Sequence, residues 1–126
     1  DQATLKNITP DQDAINAISE KLDLIGYYIF TTETGDAEID ATTRMFAPRY
    51  GIAEEAATGM AAGPLACVLY DFLDMKKDTF LIAQGAFMTS PSPSQIKVTL
   101  DLNDHRITGL LAGGQGKVMK NLNITL

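Results

Sequence analysis

The chain predicts an α+β domain with a mixed or mostly antiparallel sheet and a central, apolar helix. Three observations carry this. Runs rich in β-branched and aromatic residues at 27–32, 79–84, 95–102 and 106–111 read as strands. Ala14, Ile15, Ala17, Ile18, Leu22 and Leu24 recur at helical spacing and read as an amphipathic surface helix. The stretch from about residue 61 to 75 is apolar on nearly every side, and a helix of that kind belongs inside a domain. The order helix, strands, central helix, strands is that of an α+β fold.

Taken in order, residues 1–8 read as an incoming strand or a tail. Thr9, Pro10 and Asp11 form a helix start, with a hydroxyl cap, a proline in the first turn and acids behind it. That helix is expected to end near Gly26. The strand at 27–32 is followed by a turn at Thr34-Gly35-Asp36, and residues 37–46 pair back on it. After Pro48 and Gly51 an acidic loop leads to the apolar helix. In the strand at 95–102, Ile96, Val98, Leu100 and Leu102 alternate with polar residues, so one sheet face is buried. Asn103-Asp104 turns the chain into the strand at 106–111, and residues 113–126 read as one or two closing strands. Residues 90–94, Ser-Pro-Ser-Pro-Ser, read as an exposed loop of little structural content. There is no internal repeat and no linker, so residues 1–126 form one domain.

Composition narrows the function classes. A hydrophobic content of 45% and a charged content of 21% are ordinary for a globular chain. The net charge of -6 disfavours nucleic acid and anionic membrane surfaces as partners, because counterion release needs a basic patch. The longest apolar run, 60–70, is too short to span a bilayer. A single cysteine, Cys67, excludes an internal disulfide and suits a reducing cytoplasm. The chain opens at Asp1 rather than Met, which fits a piece of a longer protein or a processed chain. The basic pair Lys76-Lys77 reads as a solvated helix end.

Chemistry concentrates between residues 44 and 73. A carboxylate next to free amides at a helix start supplies both parts needed to move a proton on an anionic substrate. Glu55 is the candidate general acid or base, with a solvated loop carboxylate as the alternative. Glu54 points the other way in an extended segment and reads as structural or solvated. Thr58, Gly59, Met60 and Ala61 are the candidate substrate-binding turn, or else an ordinary helix start capped by Thr58. Pro64 lacks an N–H, so a regular helix is expected to begin close to it, leaving the amides of 59–62 uncommitted. Cys67 reads as a buried structural thiol, and His105, the only histidine, as a turn residue with no metal-ligand partners. Arg44 and Arg49 read as ion-pair partners for Glu54, Glu55 or Asp40, with substrate contact as the other possibility.

Residues 44–65, RMFAPRYGIAEEAATGMAAGPL, resemble the signature R-x-F-x-P-x-x-G-I-x-E-D-P-A-T-G-S-A-x-G-x-L. That signature belongs to the PhzF-like (phenazine biosynthesis-like) isomerases, relatives of diaminopimelate epimerase. Weaker similarity covers 11–32, 81–85 and 95–98, so nearly the whole chain is included. The resemblance implies the diaminopimelate epimerase-like fold, built from two similar halves, each a sheet wrapped around a long central helix, with the active site in the cleft between them. This chain corresponds to the second half, and the family's main glutamate base lies in the first. By the same resemblance the chemistry is cofactor-independent proton transfer beside a carboxylate, with no metal. The partners are a small carboxylate-containing molecule and either an N-terminal half or a second copy of the chain.

Glu55 stands at the family's aspartate, Gly59 at its glycine and Met60 at its substrate-contacting serine; Ala56 replaces a proline. Displacing a carboxylate by about 1 Å costs roughly a hundredfold in rate. Loss of a positioned donor costs a further ~10²–10³. The loop 89–94 is longer than the family's and lacks its arginine. In isolation the chain is expected to be inactive and to dimerise through an apolar face including Met45, Phe46, Ile52 and Met60. Two readings from other classes compete: a non-catalytic small-anion binding module, and an oligomerisation domain.

Overall fold

The computed structural model describes residues 1–116, 118 and 121–124. The first residues form a helix rather than a strand. Helix α1 (Gln2–Asn7) is capped by Asp1, whose carboxylate accepts from the Thr4 amide at 2.7 Å. Helix α2 (Gln12–Leu22) is capped by Asp11, which accepts from Ala14 N–H at 3.0 Å. Pro10 therefore precedes the helix instead of opening it. Asp23 in the left-handed region ends α2, three residues before Gly26. Gly26 has a different task. A Cβ there would lie 2.3 Å from the Phe46 carbonyl oxygen, so only glycine lets the chain pass close against the next strand pair.

Strand β1 (Tyr27–Thr31) pairs antiparallel with β2 (Ala41–Ala47). The second strand starts later than the sequence suggests because residues 36–40 are held in a turn. There the Thr34 hydroxyl bonds the carbonyls of Asp36 and Ile39, and Asp36 accepts from the Glu38 amide. A short 3₁₀ turn (Pro48–Tyr50) and Gly51 at φ 74° reverse the chain into β3 (Ile52–Glu55). The expected acidic loop is thus a strand, paired antiparallel with β2. After helix α3 (Gly59–Asp71) come β4 (Thr79–Gln84), β5 (Ser94–Asn103) and β6 (Arg106–Gly113). The β5–β6 hairpin turns on Asp104 and His105, both with positive φ, the geometry that matches strand twist.

The sheet is mixed. Its order is β1-β2-β4-β5-β6, with β3 also on β2, and only the β2–β4 pairing is parallel. One face packs on α3 through Ala41, Phe80, Ile82, Ile96, Val98 and Leu100 against Ala62, Leu65, Ala66, Leu69 and Tyr70. The residues of β2 that alternate with these, Arg44 and Phe46, face α1 and the passage at Gly26. Every residue of β2 is consequently buried.

Helix α3 has 13 residues, shorter than the long central helix expected, and it is covered on one side only among the described residues. Pro64 and Val68 are exposed, and Phe72 just beyond the helix is 80% exposed. The helix stops at Asp71 because Asp74 adopts φ 56° and the Met75 amide returns to the Leu69 carbonyl. Lys76 bonds the Tyr70 carbonyl at 2.7 Å, and Lys77 pairs with the buried Asp40 carboxylate, so this basic pair is structural. The closing strands expected over 113–126 lie partly outside the described residues; Gly113 ends β6, and the described residues after it carry no regular element.

Candidate active site

Strand β2 shares one edge between two neighbours. Strand β4 pairs along its first half, with Thr43 opposite Gln84, and β3 along its second, with Met45 opposite Glu55. Gln84 and Glu55 are the last residues of their strands, so two strand ends converge on β2 from opposite directions. Helix α3 starts four residues beyond Glu55. The segment 44–65 therefore folds back on itself at this split.

Strand alternation sends the two adjacent glutamates to opposite faces. Glu54 meets Arg44 in a two-pronged pair at 2.8 and 2.9 Å. Arg44 also donates to the carbonyls of Ile8, Leu5 and Lys6 at 2.7, 3.2 and 3.3 Å, closing the end of α1. Arg49 pairs with Asp23. Both arginines are thus structural.

Glu55 turns to the other face, where the Thr58 hydroxyl donates to its Oε2 at 2.5 Å. Gln84, 1% exposed, organises the rest. Its Nε2 donates to the Glu55 carbonyl at 2.7 Å and the Thr58 hydroxyl at 2.9 Å. Its Oε1 accepts from the Thr58 amide and the Tyr28 hydroxyl, both at 3.1 Å. The Thr43 hydroxyl lies 3.1 Å from both the Tyr28 hydroxyl and the Ala83 carbonyl. Burial raises the Tyr28 phenol above its usual range, the Thr43 bond opposes this, and the nearby Glu55 adds to the rise. From β5, Ser94 donates to the Ala56 carbonyl at 2.6 Å. Gly85, at φ 81°, lets the next loop pass where a Cβ would meet Ser92 O at 2.2 Å. The 90–94 segment therefore pins the site.

The turn at 58–61 differs in part from expectation. Pro64 lies inside α3 rather than at its start, and its missing N–H deprives only the Met60 carbonyl of a helix partner. The amides of Ala61 and Ala62 both bond the Thr58 carbonyl, and that of Thr58 bonds Gln84. Helix geometry leaves the amides of Gly59 and Met60 without a partner in the helix. Met60 projects outward, 85% exposed. Of the expected apolar patch only Met60 is exposed: Met45 and Phe46 are buried in β2 and Ile52 is half-buried.

A groove of about 1310 Å³ runs over the sheet face away from α3, between Thr42, Leu81 and Thr99, and reaches Ala57 and Gly59. Glu55 does not line it, but Gln84 and Ser94, which bond the carbonyls of Glu55 and Ala56, do. Cys67 is half-buried, its thiol raised first by burial and then by Asp71, as befits a packing residue. His105 only accepts, through its carbonyl, from Tyr70. Among the described residues, no group of three or more His, Cys, Asp or Glu is placed to hold a metal ion.

The sequence profile of the phenazine biosynthesis-like proteins, PhzC-PhzF, matches residues 1–120. The chain belongs to this family. An uncharacterized isomerase of Clostridium acetobutylicum is 39% identical over 66 residues, covering 52% of this chain and 22% of the relative. An uncharacterized isomerase of Salmonella typhimurium is 28% identical over 114 residues, 89% of this chain and 38% of the relative. The chain thus spans well under half the length of these curated relatives. The PhzF-family phenazine biosynthesis protein of Bacillus anthracis shares the fold, with a TM-score of 0.66 at 18% identity, over 86% of this chain and 38% of that one. A PhzC/PhzF protein of Clostridium difficile does so with a TM-score of 0.55 at 18% identity, over 94% and 41%.

Within this PhzF-type domain, sequence reasoning singled out Glu55 and Thr58, which the structure brings together, but not Gln84, Tyr28 and Ser94, which bond around them. A signal was present for Gln84. It falls in step with Phe80 and Ile82 on the buried face of β4, and a buried amide must be satisfied by neighbours.

Proposed function

We propose that the chain is the C-terminal half of a PhzF-type isomerase or epimerase that moves a proton on a small carboxylate substrate. Glu55 serves as one acid–base group and an N-terminal half supplies the other. The observation that carries this reading is the position of Glu55: one oxygen is tied to Thr58, while Oε1 accepts no hydrogen bond among the described residues. In the reaction, a C–H bond beside the carboxylate breaks and an O–H bond forms on one acid–base group. The electron pair delocalises into the neighbouring carboxylate, and a proton returns to carbon from either group. No cofactor is needed for this sequence of steps. Gly59 and Met60 amides at the start of α3 face the substrate anion. A cytoplasmic location goes with this reading.

The exposed apolar side of α3, with Met60, Val68, Phe72 and Leu73, fits coverage by the N-terminal half. The test is deuterium uptake from D₂O into a panel of small carboxylates, followed by proton NMR. The chain alone should be silent, and a protein carrying the upstream half should exchange one panel member and lose that with Glu55→Gln. Exchange by the chain alone, or an unaffected Glu55→Gln enzyme, would overturn the proposal. Sedimentation equilibrium of the chain alone examines the exposed face; self-association would show that a second copy can replace the missing half.

A further inference from the structure

We infer that Gln84 is a positioning residue that fixes the polarity of the hydrogen-bond chain ending on Glu55, so that Oε2 is held as an acceptor and Oε1 is left to the substrate. This deepens the proton-transfer reading and rests on it. The orientation of the Gln84 amide is not free. Thr58 N–H needs an acceptor and the Glu55 carbonyl needs a donor, and they lie on opposite ends of the same amide at 3.1 and 2.7 Å. Reversing the amide would set donor against donor and acceptor against acceptor in a buried site. With Oε1 and Nε2 so placed, the second Nε2 hydrogen points at the Thr58 hydroxyl oxygen at 2.9 Å.

The Thr58 oxygen, already an acceptor, has one proton of its own, which it donates to Glu55 Oε2. Glu55 must accept it, which requires Oε2 to be unprotonated. A second observation agrees. Thr58 occupies the N-cap position of α3, where a hydroxyl ordinarily accepts from the helix amides, yet it makes no such bond. Its hydroxyl is diverted to the carboxylate. All four bonding positions of Gln84 are filled, with Tyr28 donating to Oε1 behind it. The polarity thus runs inward from Tyr28 and Gln84 and ends on Glu55.

The test compares Thr58→Ser, Thr58→Val, Gln84→Glu and the double variant Thr58→Val/Gln84→Glu. Gln84→Glu keeps the acceptors for Thr58 N–H and Tyr28 but removes both donors, which frees the Thr58 hydroxyl to turn away from Glu55. In ¹³C-labelled full chain, the Glu55 carboxyl carbon and the Thr58 hydroxyl proton are observed by NMR. Thr58→Ser should leave the Glu55 carboxyl resonance in place, while Thr58→Val and Gln84→Glu should both shift it. The hydroxyl resonance of residue 58 should be lost or moved in Gln84→Glu. In the two-half enzyme, deuterium exchange should fall about 10–100-fold in Thr58→Val. The double variant should lose no more than either single one.

A folded Gln84→Glu protein with unmoved Glu55 and Thr58 resonances would overturn the inference. So would fully additive losses in the double variant. If Gln84→Glu does not fold, Thr58→Val at a half-buried position decides the matter through the same carboxyl resonance: an unmoved signal defeats the inference. The NMR arm requires no turnover. A network that behaves as expected in a protein that never exchanges deuterium defeats the proposed function alone.

Discussion

Replacing Arg44 by methionine isolates the interaction on which the strand arrangement depends. Arg44 is 5% exposed and bonds both oxygens of Glu54 and three carbonyls at the end of α1. The Arg44→Met chain keeps the stem but leaves the Glu54 carboxylate, on a side chain only 12% exposed, without its counter-charge. Breaking a buried pair by removing one partner costs about 3–5 kcal/mol. Native domains are stable by only ~5–15 kcal/mol, so this is a large share of the total. At ~3–5 °C per kcal/mol for a domain of this size, Tm should fall by roughly 10–20 °C.

The double variant Arg44→Met/Glu54→Met removes the orphaned charge and should recover most of that loss, leaving about 1–2 kcal/mol for the uncapped carbonyls of α1. Asp23→Asn, which breaks the Arg49 pair at a side chain 90% exposed, is the control and should stay within ~1 kcal/mol. Urea unfolding followed by circular dichroism gives all four free energies. An Arg44→Met chain within ~1 kcal/mol of the parent, or a double variant worse than the single, would refute the reasoning.

Gly85→Ala should destabilise by more than 2 kcal/mol, combining positive φ with a Cβ 2.2 Å from Ser92 O, whereas Gly51→Ala, with open space around it, should cost only the ~1 kcal/mol of left-handed backbone strain. Thermal melts of the two variants side by side decide this. The Tyr28 phenol is raised above 10.0 in the fold, so the unfolded chain loses its proton first as pH rises. Stability from this group is complete below pH 10.0 and declines as pH climbs through the folded value, and Tyr28→Phe should flatten that alkaline decline in urea midpoints measured from pH 8 to 11.

Much of the architecture is legible in the residues. The strand at Thr79–Gln84 has the bounds its β-branched and aromatic content suggests, and the alternation of Ile96, Val98 and Leu100 puts those residues in the core. What escaped depends on partners distant in the chain. Residues 52–55 carry two glutamates and look like a loop, but Arg44 neutralises one and Thr58 engages the other, which turns them into a half-buried strand of the sheet. Residues 2–7 have too little apolar periodicity to declare a helix; Asp1 caps it and Arg44 closes its far end. The proline in α3 misleads for a related reason. Its missing N–H leaves only the Met60 carbonyl without a bond, at an exposed position where water supplies one.

The same split edge that stabilises the fold also fixes the proposed acid–base group. Strand β3 is held on one face by Arg44–Glu54 and on the other by Gln84 and Ser94, so the backbone on either side of Glu55 is fixed by side chains from three other elements. Where the resembled signature has an aspartate, Glu55 adds a rotatable bond, which on its own would blur the carboxylate's position. The Thr58 hydroxyl at 2.5 Å removes that freedom by tying Oε2, and Gln84 in turn leaves the hydroxyl no other direction in which to donate. A longer acid on a tethered oxygen reaches a defined point about a methylene further out than the shorter acid. In the proton-transfer reading proposed above, such a reach would suit a substrate carbon set correspondingly farther from the strand end, on a carboxylate that is still held in place.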